Sequence, residues 1–517
     1  MWRIRSIFVF CFCIFIHSVS AEELLLWEDC IWVGLERNAQ FRLESTKSEL
    51  YPILLKEKWK QYLPKLGVHY FGIFSRNQEQ IDQEYRDVRL QIQQLLYDGG
   101  DTEREKQKIE IKQLIQAEEK KLLKEKIIQN ISLAYLSANK RSLIHSLYEI
   151  RLERYQFEKK KSASESELQF VPKLETKSWK QWEVDFLNKR IHAEATKESS
   201  FLELKKVMFL DPLEPLYLEP GISERLEIFP PKINVLEVDE NHPLQKKNRL
   251  QIELSQLEEE TLENDWKPKL VLGGYLGRNG NYGFPLHNEI YGVSLGFQTN
   301  LGGSSLASNT QNGYQSEGNG IQRIPGYGPQ AVGPGENAFQ SGSFGLFDEV
   351  GRDKKRFDSK LSSLQARSEK EQSELHLKNL AKSTEVKLVE GYRKFVLYLD
   401  FTHSLLQSLK QKKEERNVQL LSELDYIKAE EEVFVALEQT VEHYFQYVST
   451  ALDLVFLTGE DPFSNRFYHL HQKRVPSVFT NLLSEWKEQF ANIKEIPKEP
   501  KRKKQTPFYW EESDETR

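Results

Sequence analysis

Apolar and polar residues alternate strictly from Val88 to Gln93. In an extended chain every second side chain lies on the same face, so this pattern predicts a strand with one apolar and one polar face. The run Tyr291 to Gln298 alternates in the same way, and Leu66, Val68, Tyr70 and Phe74 share one side of another predicted strand. The apolar positions assigned to these faces are Leu66, Val68, Val88, Leu90, Ile92, Val293, Leu295 and Phe297.

These strands belong to a unit that occurs twice. Each copy begins with Pro-Lys-Leu, at Pro64 and Pro268, and each ends with Gly-Gly, at Gly99 and Gly302. The two Pro-Lys-Leu triplets lie 204 positions apart and the two Gly-Gly pairs 203 positions apart, which indicates one structural unit used twice. Each copy predicts a β-hairpin, the first over about residues 65–95 and the second over about residues 269–298.

Long helices are predicted after each hairpin. No proline or glycine occurs between Gly100 and Pro172, and the interval is rich in Lys, Glu, Gln, Leu and Ile. This composition favours one helix of about 60 residues and about 90 Å, followed by a turn and a return helix. The apolar seam of the first helix has coiled-coil spacing and comprises Ile127, Ile131, Ala134 and Ala138.

The rest of the chain divides around these elements. A stretch rich in Gly, Ser, Asn and Gln follows the second hairpin. It is too polar to form a core of its own, so it is predicted to be a flexible insertion rather than a binding loop, outside the packed helices. The predicted segments are a signal peptide at 1–21, a first repeat at 22–210 with its helical hairpin at 101–210, a proline-rich linker at 211–243, a second repeat at 244–460 with the insertion at 304–345 and a helical hairpin at 351–457, and a C-terminal tail at 461–517.

The first 21 residues have the form of a secretory signal. Arg3 and Arg5 precede an apolar run, and small residues end at Ala21, where a signal peptidase would cleave. Removing this segment, which carries two basic and no acidic side chains, leaves 496 residues with 70 basic and 78 acidic side chains, a net charge of −8. No basic domain indicates a nucleic-acid partner. Cys30 would then be the one remaining cysteine, so no internal disulfide is expected.

Strand length and strand number favour a membrane barrel shared by several chains. Each alternating run approaches the roughly 9 to 11 residues that a tilted strand needs to cross a bilayer, although a soluble sheet with one dry face would alternate likewise. Four strands are too few to close a barrel, and an open edge in lipid leaves backbone groups unpaired. Three copies would supply twelve strands and no free edge. No later apolar run reaches the roughly 18 residues of a membrane helix.

Patterns typical of enzymes do not account for this sequence. It has no phosphate-binding loop of the Gly-x-x-x-x-Gly-Lys type. Several histidines are dispersed without the spacing of a metal site, namely His69, His145, His192, His403 and His443. No catalytic residue, metal ligand or cofactor is therefore predicted, and enzymatic activity is not expected.

The order of elements is short helix, helix, hairpin, Gly-Gly, very long helix and return helix, and the same again. This order resembles the TolC-like outer-membrane efflux protein family over nearly all of the chain after the signal. Seven short matches in the right order carry the resemblance. They are Glu28-Asp29-Cys30-Ile31 with Leu35, Glu36 and Asn38; Leu63-Pro64-Lys65-Leu66; Leu96-Tyr97-Asp98-Gly99-Gly100; Asn241 and Pro243-Leu244; Leu346-Phe347-Asp348; Asp425-Tyr426-Ile427-Lys428-Ala429; and Tyr444 to Gly459.

The resemblance implies an α+β membrane protein built from two internal repeats. A homotrimer would form a twelve-stranded β-barrel in the outer membrane, four strands per chain, continued by a long α-helical coiled-coil tunnel in the periplasm. The resemblance further implies a passive exit duct of a tripartite efflux or type I secretion system, with a periplasmic adaptor and an inner-membrane RND or ABC pump as partners. The apolar strand positions would face outer-membrane lipid. Asp425 matches the first Asp of the family's aperture motif, which makes Asp425 and Lys428 candidates for the periplasmic aperture.

Three departures from the family concern the adaptor and the aperture more than the fold. The helices are crowded with Lys and Glu instead of Ala, and neither helical tip carries Val-Gly. Lys428 stands where the family often has a second Asp. Lys428 lies one helical turn after Asp425 and can pair with it, which would weaken the field of a ring of three Asp425 side chains. A coiled-coil envelope or adhesion protein without transport activity is the alternative function, and the exported substrate is left open.

Overall fold

The computed structural model of the chain is described for residues 24–75, 83–167, 173–219, 242–280, 286–301, 303–317, 320–324, 328–347, 351–418, 420–458 and 478–490. The predicted signal peptide at 1–21, most of the linker at 211–243 and most of the tail at 461–517 lie outside these residues.

Three short helices precede the first strand: α1 (Trp27–Arg37), α2 (Ala39–Ser48) and α3 (Leu50–Trp59). Asn38 separates α1 from α2 because it is extended and its side-chain oxygen accepts a hydrogen bond from the Phe41 N–H at 2.9 Å. Pro52 lies in the first turn of α3, where the missing N–H costs little.

The remaining helices are α4 (Asp101–Glu167), α5 (Lys173–Val207), α6 (Pro243–Glu263), α7 (Arg352–Asn417), α8 (Glu423–Thr458) and α9 (Val478–Phe490). At 67 residues α4 is about 100 Å long. Asp98 precedes its first turn, and the Asp98 carboxylate accepts hydrogen bonds from the N–H groups of Gly100 at 2.9 Å and Thr102 at 2.7 Å. Within the described ranges, no helix combines the length and the apolar character that crossing a membrane requires.

The hydrophobic core lies between helices of both repeats. The predicted seam of α4 is buried, with Ile131 and Ala138 fully inaccessible. Trp27 of α1 stacks on Tyr135 of α4 at 6.3 Å and donates from Nε1 to Ser132 at 2.9 Å. From the other repeat, helix α8 contributes a continuous buried face, and α9 packs on it with Phe479 and Trp486. Phe479 stacks on Tyr444 with ring centroids 4.3 Å apart.

The principal sheet is antiparallel and contains six strands in the order β1-β2-β3-β4-β5-β8. The two hairpins predicted from the repeat form its first four strands, β1 (Lys65–Ser75), β2 (Gln83–Tyr97), β3 (Lys269–Gly280) and β4 (Asn288–Leu301). Strands β2 and β3 pair with each other although they are far apart in sequence, so the two repeats form a single sheet.

The segment 304–345 supplies two more strands to this sheet. It forms β5 (Ser304–Gln315), β6 (Gly320–Ile324), β7 (Gly328–Val332) and β8 (Gly335–Gly345). β5 pairs with β4, β8 pairs with β5, and β6 and β7 pair with each other as a separate two-stranded sheet. The described part of this segment is therefore strand and not a flexible insertion, and the sheet of the single chain has six strands where four were predicted. A polar segment does not need its own core when an existing strand edge offers backbone hydrogen bonds.

Candidate functional site

The strand register places the predicted apolar positions on one face of the sheet. Leu66 is opposite Ile92 and Val68 opposite Leu90, and Leu90 is in turn opposite Leu276 of β3. The same face continues through β3 and β4 and includes Leu270, Leu272, Tyr291, Val293, Leu295 and Phe297. Val88 also shares this face, since it is opposite Tyr70. We call this surface, on β1 to β4, the apolar face.

Many side chains of the apolar face are exposed in the single chain. The exposed fraction is 74% for Val68 and 69% for Leu66, and 58% and 48% for Val293 and Leu295. Val88 and Phe297 are half-buried. A contiguous exposed apolar surface of this extent is typical of a protein that contacts another protein or a membrane.

The opposite face of the same strands, the polar face, carries a buried hydrogen-bond network. Arg89 donates from Nε to the two carboxylate oxygens of Asp87 at 2.8 and 2.7 Å, and the Tyr85 hydroxyl donates to the same carboxylate at 3.2 Å. Asn279 of β3 donates to the Tyr85 hydroxyl at 3.1 Å. Asp87 and Asn279 are 3% and 0% exposed. The sheet thus has an exposed apolar face on one side and, on the other, a polar face with a buried hydrogen-bond network.

Glycine lets neighbouring strands approach closely on this side of the sheet. A Cβ added to Gly277 would lie 2.2 Å from the carbonyl oxygen of Val88, and one added to Gly292 would lie 2.5 Å from the Tyr275 ring. Tyr275 in turn lies under the Arg89 guanidinium, 5.0 Å from its ring centroid. Larger residues at the two glycines would push apart strands that hold the polar network.

A serine of this face lies in a Gly-x-Ser-x-Gly sequence, Gly292 to Gly296. In hydrolases that motif places the serine on a sharp turn between a strand and a helix. Here Ser294 lies in the middle of β4, paired with Gly273 on one side and Gln311 on the other. The motif is therefore part of the sheet and not a nucleophile elbow. Among the described residues no group of three or more His, Cys, Asp or Glu side chains is placed to hold a metal ion.

The candidate aperture residues lie at the start of α8, after the turn from α7. Ser422 donates a hydrogen bond to the Asp425 carboxylate at 2.7 Å and accepts one from the Asp425 N–H at 3.1 Å. Ser422 therefore caps α8 by accepting from the Asp425 N–H, and its hydroxyl also holds the Asp425 carboxylate in place. The Lys428 ammonium lies 3.7 Å from the Asp425 carboxylate, and both side chains are more than half exposed. Asp425 and Lys428 are thus neighbours, as the sequence predicted, and Asp425 also has a structural partner.

A second charged cluster near this end was not predicted from the sequence. Arg151 and Arg154 of α4 both reach Glu430 of α8, at 2.8 and 3.2 Å. Tyr426 lies beside them, and burial together with the adjacent Glu430 raises its pKa to about 12. The Arg416 guanidinium of α7 lies 4.7 Å from the Tyr426 ring centroid. The cluster connects the long helices of the two repeats close to the exposed Asp425.

Neither a protein-family model nor a curated protein sequence matches this chain. Solved structures match its fold. The outer-membrane channel OprN has a TM-score of 0.61 and 12% identity, covering 84% of this chain and 90% of that chain. The Campylobacter jejuni CmeC outer membrane channel has a TM-score of 0.59 and 12% identity, covering 90% of this chain and 94% of that chain. The open state of the Neisseria gonorrhoeae MtrE outer membrane channel has a TM-score of 0.62 and 13% identity, covering 86% and 94%. At such low identity, the similarity establishes the fold.

Proposed function

We propose that this chain, whose fold is that of TolC-like outer-membrane efflux channels, is the outer-membrane exit duct of a tripartite efflux or type I secretion system. The observation that carries the proposal is the sheet with one exposed apolar face and one polar face, followed in each repeat by a helix of 67 or 66 residues. A wall with these two faces separates lipid from water. Helices of about 100 Å extend far beyond a bilayer whose hydrocarbon core is about 30 Å thick.

The lipid-facing residues of the proposed wall are those of the apolar face. They include all eight predicted positions: Leu66, Val68, Val88, Leu90, Ile92, Val293, Leu295 and Phe297. The polar network around Arg89 and Asp87 would line the water-filled side. Buried polar groups that are hydrogen-bonded to one another suit this position because they keep their geometry beside passing solutes.

A homotrimer is the assembly that we propose. β1 and β8 are the outermost strands of the sheet, and a strand edge exposed to lipid leaves backbone groups without hydrogen bonds. Several copies of the chain would remove these edges by closing one barrel, as oligomers with cyclic symmetry do. The helices would then converge below the barrel as a periplasmic tunnel that meets an adaptor protein and an inner-membrane RND or ABC pump.

We propose that Asp425 and Lys428 belong to the periplasmic aperture. Both side chains are exposed where α8 begins, at the end of the α7–α8 hairpin. Threefold symmetry would convert one Asp425 into a ring of three, and carboxylate rings favour cations in a pore. Lys428 moderates that field because it lies 3.7 Å from Asp425.

Conductance tests the proposal most directly. The protein would be extracted from outer membranes in detergent, its trimer isolated without boiling, and the trimer added to planar bilayers. Discrete conductance steps are expected, and the heat-dissociated chain is the matched control. A trimer without conductance would favour a structural or adhesive envelope protein and would overturn the proposal of an exit duct.

A further inference from the structure

The strand pair β5 and β8 is inserted between β4 and α7. In the first repeat the corresponding strand, β2, is followed by its long helix without any inserted strand. After β2, Gly99 and Gly100 have φ of +72° and +83°, and α4 begins at once. In the second repeat Gly303, with φ of +94°, leads into β5 instead, and α7 begins only after Gly351, with φ of +91°. Left-handed glycines thus bracket the inserted strands, which we call the β5–β8 hairpin.

The two faces of the β5–β8 hairpin are both largely polar. Next to the apolar face of β4, Asn312 is opposite Val293 and Thr310 opposite Leu295, and Gln340 of β8 follows beside Thr310. The remaining residues of β5 and β8 on that side are Ser304, Leu306, Ser308, Tyr314, Glu336, Ala338, Gly342 and Phe344. The other side carries Ser305, Ala307, Asn309, Gln311, Gly313, Gln315, Asn337, Phe339, Ser341 and Ser343.

Such a hairpin is unsuited to a lipid-facing wall. An amide side chain moved from water to an apolar medium without a hydrogen-bond partner costs several kcal/mol. In a barrel that included the hairpin, Asn312 and Gln340 would lie level with Val293 and Leu295, in the middle of the apolar face. Threefold symmetry would repeat both amides three times.

The edge of β4 that the β5–β8 hairpin covers is about as long as β1, the strand that a second copy would place beside it. β5 pairs with β4 from Ile290 to Leu301, twelve consecutive residues, without a register shift. β1 at the other side of the sheet has eleven residues, Lys65–Ser75. Its outward side chains include Leu66 and Val68, at 69% and 74% exposure. A second copy's β1 placed beside β4 would therefore match it in length and continue the apolar face without interruption.

We propose that the β5–β8 hairpin is a detachable cap of the β4 edge, which β1 of a second copy of this chain replaces when the trimer assembles. The exchange conserves backbone hydrogen bonds and brings apolar residues of β1 beside those of β4. Before assembly the cap protects an edge that would otherwise pair with other unassembled chains. The assembled barrel then has twelve strands, with the hairpin outside its wall. This inference rests on the proposed trimeric channel.

A disulfide tether tests the exchange. Ser294 and Gln311 are paired across β4 and β5 on the polar face, so Ser294→Cys with Gln311→Cys locks the hairpin onto β4 when oxidised. The control is Val271→Cys with Gly296→Cys, a pair between β3 and β4 on the same face. A Cβ at Gly296 meets its neighbours at 3.7 Å or more, an ordinary contact. The native Cys30 is buried and does not compete.

We expect the oxidised Ser294–Gln311 variant to stay monomeric, with heat-resistant trimer reduced at least tenfold, and to assemble after reduction. The control should form trimer in either state. Trimer formation by the oxidised test variant at the control level would overturn the exchange and favour an eighteen-stranded barrel. Absence of trimer from the wild-type protein would overturn it as well, because no second copy would then replace the cap.

Deleting residues 304–345, with a short Gly/Ser replacement, gives an independent measurement. The cap model predicts a trimer with wild-type conductance. Barrel diameter grows roughly linearly with strand number, so loss of six wall strands from eighteen would reduce the pore cross-section about twofold. A conductance decrease of that size, or loss of the trimer, would contradict the cap. If the wild-type trimer assembles but does not conduct, the proposed duct function fails. The tether experiment would still test the exchange, because it measures assembly alone.

Discussion

Arg151 of α4 donates a hydrogen bond to Glu430 of α8 at 2.8 Å, and each side chain is only 2% exposed. Two residues 279 positions apart in the chain therefore form a fully buried ion pair between the two repeats. Arg154 shares Glu430 at 3.2 Å, and Glu431 lies 3.6 Å from Arg151. Buried ion pairs gain little net stability, but removing one partner leaves a charge without compensation.

Replacing Glu430 by Ala should lower the free energy of unfolding by about 3 kcal/mol, because the buried Arg151 would lose its principal partner. Thermal unfolding followed by helical circular dichroism measures the change. Glu442→Ala is the control, since its pair with Lys140 is partly exposed at 45% and 16%, and should cost less than about 1 kcal/mol. Equal losses in both variants would show that the Arg151 pair has no special role.

Leu295→Arg should strongly reduce heat-resistant trimer in the outer membrane. An Arg at a lipid-facing position near mid-bilayer costs roughly 2 to 4 kcal/mol in a membrane barrel, and a trimer repeats that cost three times. The adjacent Ser294→Arg variant is the control because Ser294 belongs to the polar face. It should assemble and change conductance. Identical behaviour of the two variants would contradict the assignment of faces.

Asp425→Ala should raise single-channel conductance and lower cation selectivity if Asp425 lines the aperture. The same substitution also removes the hydrogen bond that the Asp425 carboxylate accepts from Ser422 at the start of α8, so a second variant is needed. Ser422→Ala breaks the cap and keeps the carboxylate, and it should leave selectivity unchanged. Bilayer recordings over a salt series compare the two variants. If the Ser422→Ala variant also loses cation selectivity, the effect comes from the changed helix end and not from the Asp425 charge.

Asp98→Ala should destabilise the start of α4 by about 1 kcal/mol at pH 7, as loss of a helix cap does. Burial acts to raise the pKa of Asp98, but hydrogen bonds from Thr102 and Gly100 outweigh it and the pKa is lowered. A lowered folded-state pKa adds stability above the unfolded value of about 3.9 and loses it as pH falls through the folded value.

The difference between wild type and Asp98→Ala should therefore shrink at acidic pH, which unfolding curves at pH 7 and near pH 3 can measure. Glu103→Ala is the control, because the Glu103 side chain is 63% exposed in the first turn of α4. A difference that is independent of pH would show that the charge of Asp98 does not matter.

The first four strands and the long helices could be predicted because local patterns determine them. Alternation places Leu90 and Ile92 on one face wherever the strand pairs, and an interval without proline or glycine continues as helix α4. In these elements the side chains nearby in sequence decide the conformation.

Two features depend on distant parts of the chain and escaped prediction. β5 has no alternation between apolar and polar residues, so its extended conformation comes from pairing with β4 and not from its own side chains. The pair of Arg151 with Glu430 lies within helices that are dense in charged residues. Only the packing of α4 on α8 selects these two side chains from the many others.

The number of inserted strands has a topological consequence. β4, β5 and β8 run in alternating directions, so after two added strands the chain is again at the end of the sheet where β4 ended. An even insertion therefore preserves the end of the sheet at which α7 starts, whereas a single added strand would move the start of this 66-residue helix to the opposite end. Parity thus limits which insertions or deletions this joint can accept during evolution, independently of their length or composition.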